Sequence, residues 1–301
     1  MQTYMILADD NSSISEINQY YEIHQYLKNC KYQGLYVATK GEEISYQAYL
    51  ASQKCDFLVV IGGYKVFYET ILGMLKAKKQ QKIFDSVPIL YIPDVLKTAL
   101  GRNFGYIKSL SLYIQRCLEN PTTFLDVYQF NENIFTSLAL ENCENFWIKC
   151  MPNTSNSYVY LKKLFQKYLF FDFVTDEMQF VIDGKKIQGE YVMSLFANFR
   201  YLDRHKIFPK AVLNDGKLDI LLIKKISKFY ALKELTDYLN GKIPLDELSF
   251  LEHYQGNHIE FFSNHPEHHS FYLDENRYVK ESDYNQILLL DRVKIFKGNS
   301  W

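Results

Sequence analysis

A run of apolar residues that ends on two glycines constrains the fold of this chain more than any other feature. Residues 57–61 (FLVVI) have the length and composition of a buried strand, and Gly62 and Gly63 follow them. An apolar pattern with helical spacing begins at Phe67. A strand, a glycine turn and a helix in this order can bring backbone N–H groups and a helix N-terminus up to a phosphate. Any tight turn between a strand and a helix also favours glycine, so the turn alone fits a phosphate site or a plain connection.

The first 121 residues repeat the alternation of strand and helix. Alternating strands and helices predict a parallel sheet with helices on both faces. We therefore expect residues 1–121 to form a Rossmann-like three-layer α/β domain. The predicted strands are 3–8, 34–39, 57–61 and 87–93, and the predicted helices are 14–29, 44–53, 67–78 and 109–118.

Strand-like segments dominate after residue 121. Turn residues such as Asp183-Gly184 separate several of them, which is typical of antiparallel strands. We expect a C-terminal antiparallel β-sandwich domain over residues 122–285, and a final segment, 286–301, that could return to the N-terminal domain. The active-site cleft is expected between the two domains, where ligands commonly bind. The predicted strands are 125–130, 146–151, 178–182, 191–196, 217–223 and 258–262, and the predicted helices are 158–170 and 228–239.

Composition narrows the classes of function. The chain has 34 basic and 35 acidic residues, so it lacks the basic excess that nucleic-acid binding requires. Five cysteines without a CxxC spacing favour reduced thiols and a cytoplasmic location. No segment resembles a signal peptide or an apolar membrane span. A late group of histidines favours a surface loop over a metal site, since no metal-ligand spacing is present: His253, His258, His265, His268 and His269.

Several short motifs along the chain occur in an order that is known from one protein family. Gly62-Gly63 stands where that family has Gly-Gly-Asp-Gly-Thr, and residues 69–75 (ETILGML) resemble its E-V-I-N-G-L helix. Residues 208–223 resemble P-x-A-x-L-x-D-G-x-L-D followed by an apolar strand. Ala197-Asn198 is similar to the family's A-N-G, and Leu273-Asp274-Glu275 stands at its V-D-G-E. In these motifs the chain resembles the diacylglycerol kinase catalytic-domain family, which includes bacterial lipid kinases related to sphingosine kinases.

The resemblance implies an ATP- and Mg²⁺-dependent kinase that phosphorylates a lipid alcohol such as diacylglycerol. It implies that Asp274 is the base that activates the lipid hydroxyl, although a loop aspartate is an alternative interpretation. It also implies a structural Mg²⁺ held by Asp215 and by the backbone carbonyls of Val212 and Lys217, although a plain Asn-Asp-Gly turn explains the same residues. Transient contact with a membrane follows from the lipid substrate class. The oligomeric state stays open, with a dimer as one option.

The implied nucleotide-binding residues are Thr39, Gly62, Gly63, Tyr64, Lys65 and Val66, and here the chain departs from the family. Tyr64 puts a ring where the family has a small acid, and Val66 is β-branched and would resist a positive φ. Lys65 could supply charge to a phosphate or could simply be solvated. Three further family turns are also replaced, at residues 9–13, 95–99 and 203–205.

Two hypotheses therefore stand side by side. The first is an active lipid kinase. The second is a catalytically inactive pseudokinase that binds a lipid, a nucleotide or a protein partner. A third interpretation, a relative of the NAD kinases with their GGDG turn, fits residues 208–223 less well.

Overall fold

A computed structural model of the protein describes residues 2–9, 14–39, 42–81, 87–93, 99–141, 176–202, 205–206, 208, 210–225, 227–239, 242–244, 247–263, 270–274, 276–279 and 283–298. The chain forms two compact units. The first consists of Met1–Leu125 with Asp291–Trp301, and the second of Asp126–Leu290. The C-terminal segment is thus part of the N-terminal unit.

The N-terminal unit is an α/β fold, as the alternating pattern predicted. Its strands run parallel in the order β4-β3-β1-β2, and Ile295 from the end of the chain pairs parallel with Ile89 of β4. Every residue of β3 is buried, as expected for a parallel strand covered on both faces. The elements are β1 (Thr3–Asp9), α1 (Ile14–Asn29), β2 (Gln33–Thr39), α2 (Glu42–Ala51), β3 (Phe57–Ile61), α3 (Tyr64–Gln81), β4 (Ile89–Ile92), α4 (Ala99–Asn103) and α5 (Leu110–Glu119).

Helix α3 begins three residues earlier than the sequence predicted, at Tyr64 instead of Phe67. Its buried face is built from residues one turn apart, such as Phe67, Ile71 and Met74. Gly73 allows a close approach to α2, since a Cβ at this position would overlap the backbone carbonyl oxygen of Ser45. The glycine of the ETILGML segment therefore has a packing role.

The C-terminal unit consists mostly of antiparallel strands. Strand β9 is central and pairs with β7, β8 and β12. The strands are β5 (Thr123–Phe130), β6 (Asn133–Phe135), β7 (Leu138–Glu141), β8 (Asp176–Ile182), β9 (Lys185–Ala197), β10 (Tyr201–Leu202), β11 (His205–Lys206), β12 (Leu218–Lys224), β13 (Leu251–Gly256), β14 (His258–Ser263), β15 (Ser270–Leu273), β16 (Asn276–Val279) and β17 (Tyr284–Ile295). One helix, α6 (Lys228–Leu239), follows β12 at the predicted position.

The core of this unit is rich in stacked aromatic rings. The ring centroid of Phe261 lies 5.5 Å from that of Phe196 and 5.6 Å from that of Phe180. The hairpin between β8 and β9 turns at Asp183 and Gly184, which both have positive φ, as a tight two-residue turn requires. The antiparallel pairing predicted for this half of the chain is confirmed by the strand pairs.

Several parts of the chain differ from the sequence prediction. Short elements were not predicted, namely α4, β6, β7, β10, β11, β13, β15 and β16. Strand β17 was not predicted, because Asp291 and Arg292 interrupt its apolar pattern; Asp291 forms an ion pair with Lys78 of α3. Strand β9 is longer than the predicted 191–196. The prediction missed its N-terminal half, because that half is exposed and carries a polar pattern. The predicted strand 146–151 and helix 158–170 lie outside the described residues. No helix within the described ranges is long and apolar enough to cross a membrane.

Candidate functional site

The glycine turn of the N-terminal unit is anchored through its backbone. Gly62 has a φ of +138°, and its N–H donates to the carbonyl oxygen of Ile92 at 3.1 Å. The hydroxyl of Tyr91 donates to the Gly62 carbonyl at 2.8 Å. The next carbonyl, that of Gly63, accepts the N–H of Phe67 at 3.4 Å within the first turn of α3. Strand β3 therefore passes through two glycines directly into a helix N-terminus.

The side chains that replace the family's residues after this turn point in different directions. Tyr64 and Val66 are 7% and 3% exposed, whereas Lys65 is exposed. A Cβ built on Gly62 would lie 2.9 Å from Cγ2 of Val66, so this valine fills the space beside the turn. Because residues 64–66 are helical, Val66 does not adopt a positive φ, and the conflict between a β-branched residue and such a φ does not arise.

The turn offers donors that suit a phosphate. The first amide groups of any helix lack acceptors within the helix, and the positive end of the helix dipole favours an anion. The first turn of α3 contains no acidic residue, and Gly62 and Gly63 are partly exposed. Because the N–H of Gly62 is already bonded to Ile92, the donors that suit a phosphate are the N–H groups of the first turn of α3 and the Lys65 ammonium group.

The other predicted nucleotide contacts are described only in part. Thr39 ends β2 in register with Asp9 of β1, and its side chain lies outside the described part of the structure. Residues 10–13, 94–98 and 203–204, which hold most of the other replaced turns, also lie outside it. Of the predicted nucleotide-binding elements, the Gly62-Gly63 turn is therefore the one that the structure describes in full.

Asp274 is held by a dense set of hydrogen bonds in the C-terminal unit. It occupies the turn between β15 and β16 with a φ of +57°, a conformation that aspartate tolerates better than most residues. Its Oδ2 accepts the backbone N–H of Thr136 at 2.8 Å and lies 3.5 Å from the Thr136 hydroxyl. Its Oδ1 accepts the backbone N–H groups of Ser137 and Leu138 at 2.8 and 2.9 Å, and also the Ser137 hydroxyl. The carboxylate therefore ties the turn at residues 136–138 to the β15–β16 hairpin.

The same turn is connected to the two other motifs of this unit. The side-chain amide of Asn198 donates to the carbonyl oxygens of Thr136 and Asp126, both at 3.1 Å. Asp126 is completely buried, and its Oδ2 accepts the N–H of Gly216 at 2.6 Å while its own N–H donates to Leu213. We call the group formed by Asp126, Thr136, Ser137, Asn198, Gly216 and Asp274 the polar hub. It joins the Ala-Asn, Asp-Gly-x-Leu-Asp and Leu-Asp-Glu segments through tertiary hydrogen bonds.

Asp215, the predicted magnesium ligand, is exposed in the turn before β12. Its Oδ1 accepts the N–H of Lys217 at 3.0 Å, and Gly216 takes a φ of +74°. Among the described contacts, Oδ2 has no partner. One carboxylate oxygen and backbone carbonyls, completed by water, form an oxygen-only set that suits Mg²⁺ or Ca²⁺, so the residues fit the predicted ion. The described residues contain no cluster of three or more histidine, cysteine, aspartate or glutamate side chains placed to bind a metal.

The histidines that the structure describes have protein partners. His253 Nε2 lies 2.8 Å from Oδ1 of the buried Asp219, which also accepts from Gln255 at 3.2 Å. His258 Nε2 lies 2.9 Å from the Gln286 amide nitrogen and 3.3 Å from Glu260. His265, His268 and His269 lie outside the described residues.

A second carboxylate of the C-terminal unit, Glu252, is also held by several donors. Its Oε2 accepts the hydroxyls of Tyr191 at 2.7 Å and Tyr254 at 3.1 Å, and its Oε1 pairs with Lys224. Burial raises the pKa of Glu252, but the hydrogen bonds from Lys224 and the two tyrosines outweigh it, so the net shift of the pKa is downward. The pKa of Tyr191 is raised well above its ordinary value by burial and by Glu252.

Comparison with known proteins places these features in a known fold. No protein-family model matches the chain, and no curated protein matches it. A crystal structure of a diacylglycerol kinase from Bacillus anthracis str. Sterne superposes with a TM-score of 0.74 at 15% identity, over 98% of this chain and 97% of that one. Two structures of provisionally assigned diacylglycerol kinases from the same organism give TM-scores of 0.73 and 0.68, at 14% and 15% identity and with the same coverage. The chain has the diacylglycerol kinase fold.

The resemblance drawn from the sequence is thus confirmed at the level of the fold. The diacylglycerol kinase fold accounts for the order of the motifs, and the structure adds three residues of the polar hub that sequence reasoning missed: Asp126, Thr136 and Ser137. One signal for Asp126 was available, since an acid within the apolar run TFLDVYQF is unusual unless its carboxylate is bound. Thr136 and Ser137 gave no such signal.

Proposed function

We propose that this protein is a lipid kinase that transfers a phosphoryl group from ATP to the hydroxyl of a lipid alcohol such as diacylglycerol. The observation that carries the proposal is the Gly62-Gly63 turn, which opens directly into α3 within a diacylglycerol kinase fold. Tyr64 and Val66 are buried in the protein and leave the glycine backbone and Lys65 accessible. The replacements that suggested a lost phosphate site are therefore compatible with one.

Each unit has a separate part in the proposed reaction. In the N-terminal unit, Gly62 would shape the turn through its positive φ, the N–H of Gly63 and the first amides of α3 would donate to phosphate oxygens, and Lys65 would offset their charge. In the C-terminal unit, Asp274 would accept the proton of the lipid hydroxyl, and Asp215 with the carbonyls of Val212 and Lys217 would hold Mg²⁺. That Mg²⁺ would be structural; bound ATP would supply the phosphoryl group, and the Mg²⁺ that accompanies ATP would neutralise part of its charge.

Ser137 suggests how a lipid hydroxyl would reach Asp274. The Ser137 hydroxyl already donates to Oδ1 of Asp274, in the way that a substrate alcohol would. A lipid hydroxyl would have to take the place of this serine, because a carboxylate has roughly four lone-pair directions and those of Asp274 are largely occupied. We expect the Ser137→Ala variant to accept the substrate hydroxyl more easily than the wild type.

The same hydrogen bonds favour a second candidate function. A carboxylate committed to Thr136, Ser137 and Leu138 serves the fold and is poorly placed to act as a base. In this alternative the protein is a pseudokinase that binds a lipid, a nucleotide or a protein partner without turnover. The proposed location is the cytoplasm in either case, which agrees with the free thiols of Cys30, Cys55 and Cys117.

An Mg-ATP titration followed by a transfer assay separates these functions. We expect the melting temperature to rise with Mg-ATP, since a ligand that binds the native state stabilises it. Lys65→Ala should weaken this response about tenfold in apparent Kd, as loss of a charged phosphate contact does. Lys79→Ala is the matched control, because Lys79 is an exposed lysine at the other end of the same helix.

Transfer of labelled phosphate to diacylglycerol and to a panel of other lipid alcohols is then measured. Turnover that Asp274→Asn abolishes supports the kinase. Binding of Mg-ATP without turnover on any lipid favours the pseudokinase. The absence of any thermal response at millimolar Mg-ATP would overturn nucleotide binding, and with it the kinase proposal.

A further inference from the structure

Among the described residues of the C-terminal unit, the two most exposed aromatic side chains lie next to each other at the start of α6. Phe229 is 73% exposed and Tyr230 is 62% exposed, and their ring centroids are 6.2 Å apart at an interplanar angle of 80°. Large aromatic rings are usually buried, because each can remove about 150–250 Å² from water. Two adjacent rings that remain in solvent form a surface that requires an explanation.

Two exposed lysines lie close to these rings in the chain. Lys233 is exposed, and it follows Phe229 by four residues and Tyr230 by three, so all three side chains lie on neighbouring positions of one helix face. Lys225 is also exposed and precedes the helix. In the part of the chain that the structure describes, neither lysine forms an ion pair. We call Lys225, Phe229, Tyr230 and Lys233 the aromatic–lysine surface.

The described acidic groups of α6 are committed to partners within the protein. Oε2 of Glu234 accepts the backbone N–H of Ser249 at 2.8 Å. Asp237 pairs with Lys242 at 2.9 Å. Both carboxylates are thus bound by donors within the protein, whereas Lys225 and Lys233 face solvent. The aromatic–lysine surface therefore combines exposed rings with positive charge that has not been neutralised.

A second exposed aromatic pair on the molecule lacks this charge. The rings of Phe262 and Tyr284 are 5.1 Å apart and are 39% and 40% exposed. Their neighbour Glu260 carries negative charge, and together with burial it raises the pKa of Tyr284. This pair does not complement an anionic partner, whereas the pair on α6 does.

We propose that the aromatic–lysine surface docks the protein onto anionic lipid membranes. The amphipathic ring of Tyr230 suits the level of the lipid headgroups, and the apolar ring of Phe229 suits the boundary between the headgroups and the acyl chains. Lysines beside them are attracted to the negative surface of membranes that contain phosphatidylserine. Binding of this kind is peripheral and reversible, and it does not depend on phosphoryl transfer.

Vesicle co-sedimentation in the absence of ATP and diacylglycerol tests this proposal separately from the kinase activity. The full-length protein is mixed with vesicles of phosphatidylcholine alone, or of phosphatidylcholine with phosphatidylserine, at low and at high salt. We expect binding to the anionic vesicles, and we expect it to weaken as salt screens the lysines. Lys233→Glu should reduce the affinity about 25-fold, since each charge near an anionic surface contributes about a fivefold factor and this substitution changes the charge by two.

The aromatic rings are tested by the double variant Phe229→Ala with Tyr230→Ala. We expect it to lose about tenfold or more in vesicle affinity, because the apolar part of the surface is removed. Tyr21→Ala and Lys79→Glu are matched controls, since these residues are exposed but belong to the N-terminal unit. Circular dichroism and the melting temperature of each variant show that the fold is retained.

Three results would overturn the proposal. The first is a failure of the wild type to bind anionic vesicles. The second is binding that the α6 variants and the control variants affect equally. The third is loss of self-association in the α6 variants, measured by analytical ultracentrifugation, without any change in vesicle binding. That last result would assign the surface to contact with a second copy of the chain.

Discussion

The Gly62-Gly63 turn and the polar hub show opposite relations between sequence and function. In the turn, the side chains expected from a kinase have been replaced, yet the replacements Tyr64 and Val66 are buried and leave the backbone accessible. In the polar hub, the expected residues are present, yet Asp274 and Asn198 are engaged in hydrogen bonds that hold the fold together. Replacement of the family's side chains after the glycine turn is compatible with phosphate binding. Retention of the family's residues in the polar hub is compatible with a structural role.

The difference follows from what each region would use for chemistry. A phosphate turn works through backbone N–H groups and a helix dipole, so it can survive changes of side chain as long as the glycines keep their conformation. A general base works through one particular carboxylate, so it depends on what else that carboxylate binds. The presence of the family's aspartate at Asp274 is therefore weak evidence for activity. The loss of the family's side chains after Gly62 is equally weak evidence against phosphate binding.

The largest expected effect comes from removing the Asp274 carboxylate. Asp274→Ala leaves the N–H groups of Thr136, Ser137 and Leu138 without their acceptor, and we expect a loss of about 3 kcal/mol in the free energy of unfolding. Asp274→Asn should lose somewhat less, because it keeps one acceptor oxygen. Urea unfolding measures the loss, and hydrogen exchange at residues 136–138 should become faster.

Ser137→Ala is the control for this prediction, because it removes a donor hydroxyl and leaves every backbone N–H satisfied. It should cost no more than about 1 kcal/mol. If Asp274→Ala unfolds at the same urea concentration as the wild type, the carboxylate has no structural role. The contrast between the two regions would then be lost, and the kinase proposal would be favoured.

A smaller effect is expected from Gly62→Ala in the N-terminal unit. At a φ of +138° an alanine is strained, and its Cβ would lie 2.9 Å from Val66 Cγ2. We expect a loss of about 2–3 kcal/mol. Gly184→Ala is the matched control, since Gly184 has a φ of +84° and no atom within 4 Å of the added Cβ. That variant should lose only about 1 kcal/mol.

A double-mutant cycle with Val66→Ala separates strain from crowding at Gly62. The valine deletion removes the crowding but leaves the strain, so the two changes should be non-additive by about 1 kcal/mol. Additive losses would mean that Val66 does not fill the space beside the turn. The explanation of why a valine is accommodated beside Gly62 would then be wrong.

The sequence predicted the elements that depend on local pattern and missed those that depend on distant partners. The alternation of strands and helices, α6 and the order of the motifs could be read directly. The early start of α3 could not, because Tyr64, Lys65 and Val66 have ordinary helix propensities and their burial depends on the rest of the fold. Strand β17 was missed because charged residues hide its apolar face.

The polar hub shows the same limit for the site. Asp274 was identified by its motif, but its acceptor role depends on Leu138, 136 positions away in the chain. No pattern in a single sequence connects two such segments, because hydrogen bonds between loops leave no periodic signal. The Lys65 side chain, by contrast, could be assessed locally, and its exposure agrees with one of the two interpretations given to it.

The smallest expected effect concerns Glu252, a second carboxylate of the C-terminal unit that accepts several hydrogen bonds, as Asp274 does. The hydrogen bonds on Glu252 lower its pKa in the folded state, so its stabilising contribution is present above the unfolded pKa of about 4.3 and is lost as the pH falls through the folded pKa. Because Lys224 is 40% exposed, solvent screens its attraction to Glu252. We expect the hydrogen bonds and the ion pair of Glu252 together to contribute about 1 kcal/mol to the free energy of unfolding at neutral pH.

Melting curves of the wild type and Glu252→Gln between pH 7 and pH 3 measure this contribution. The difference in stability should be constant down to about pH 5 and should shrink below about pH 4, where the wild-type carboxylate takes up its proton. Glu190→Gln, at an exposed position on β9, is the control and should show no such change. A difference that stays constant at low pH would mean that Glu252 stabilises the unit by packing alone. Asp274, which is bound by uncharged donors, would then be the better example of a carboxylate retained for its hydrogen bonds.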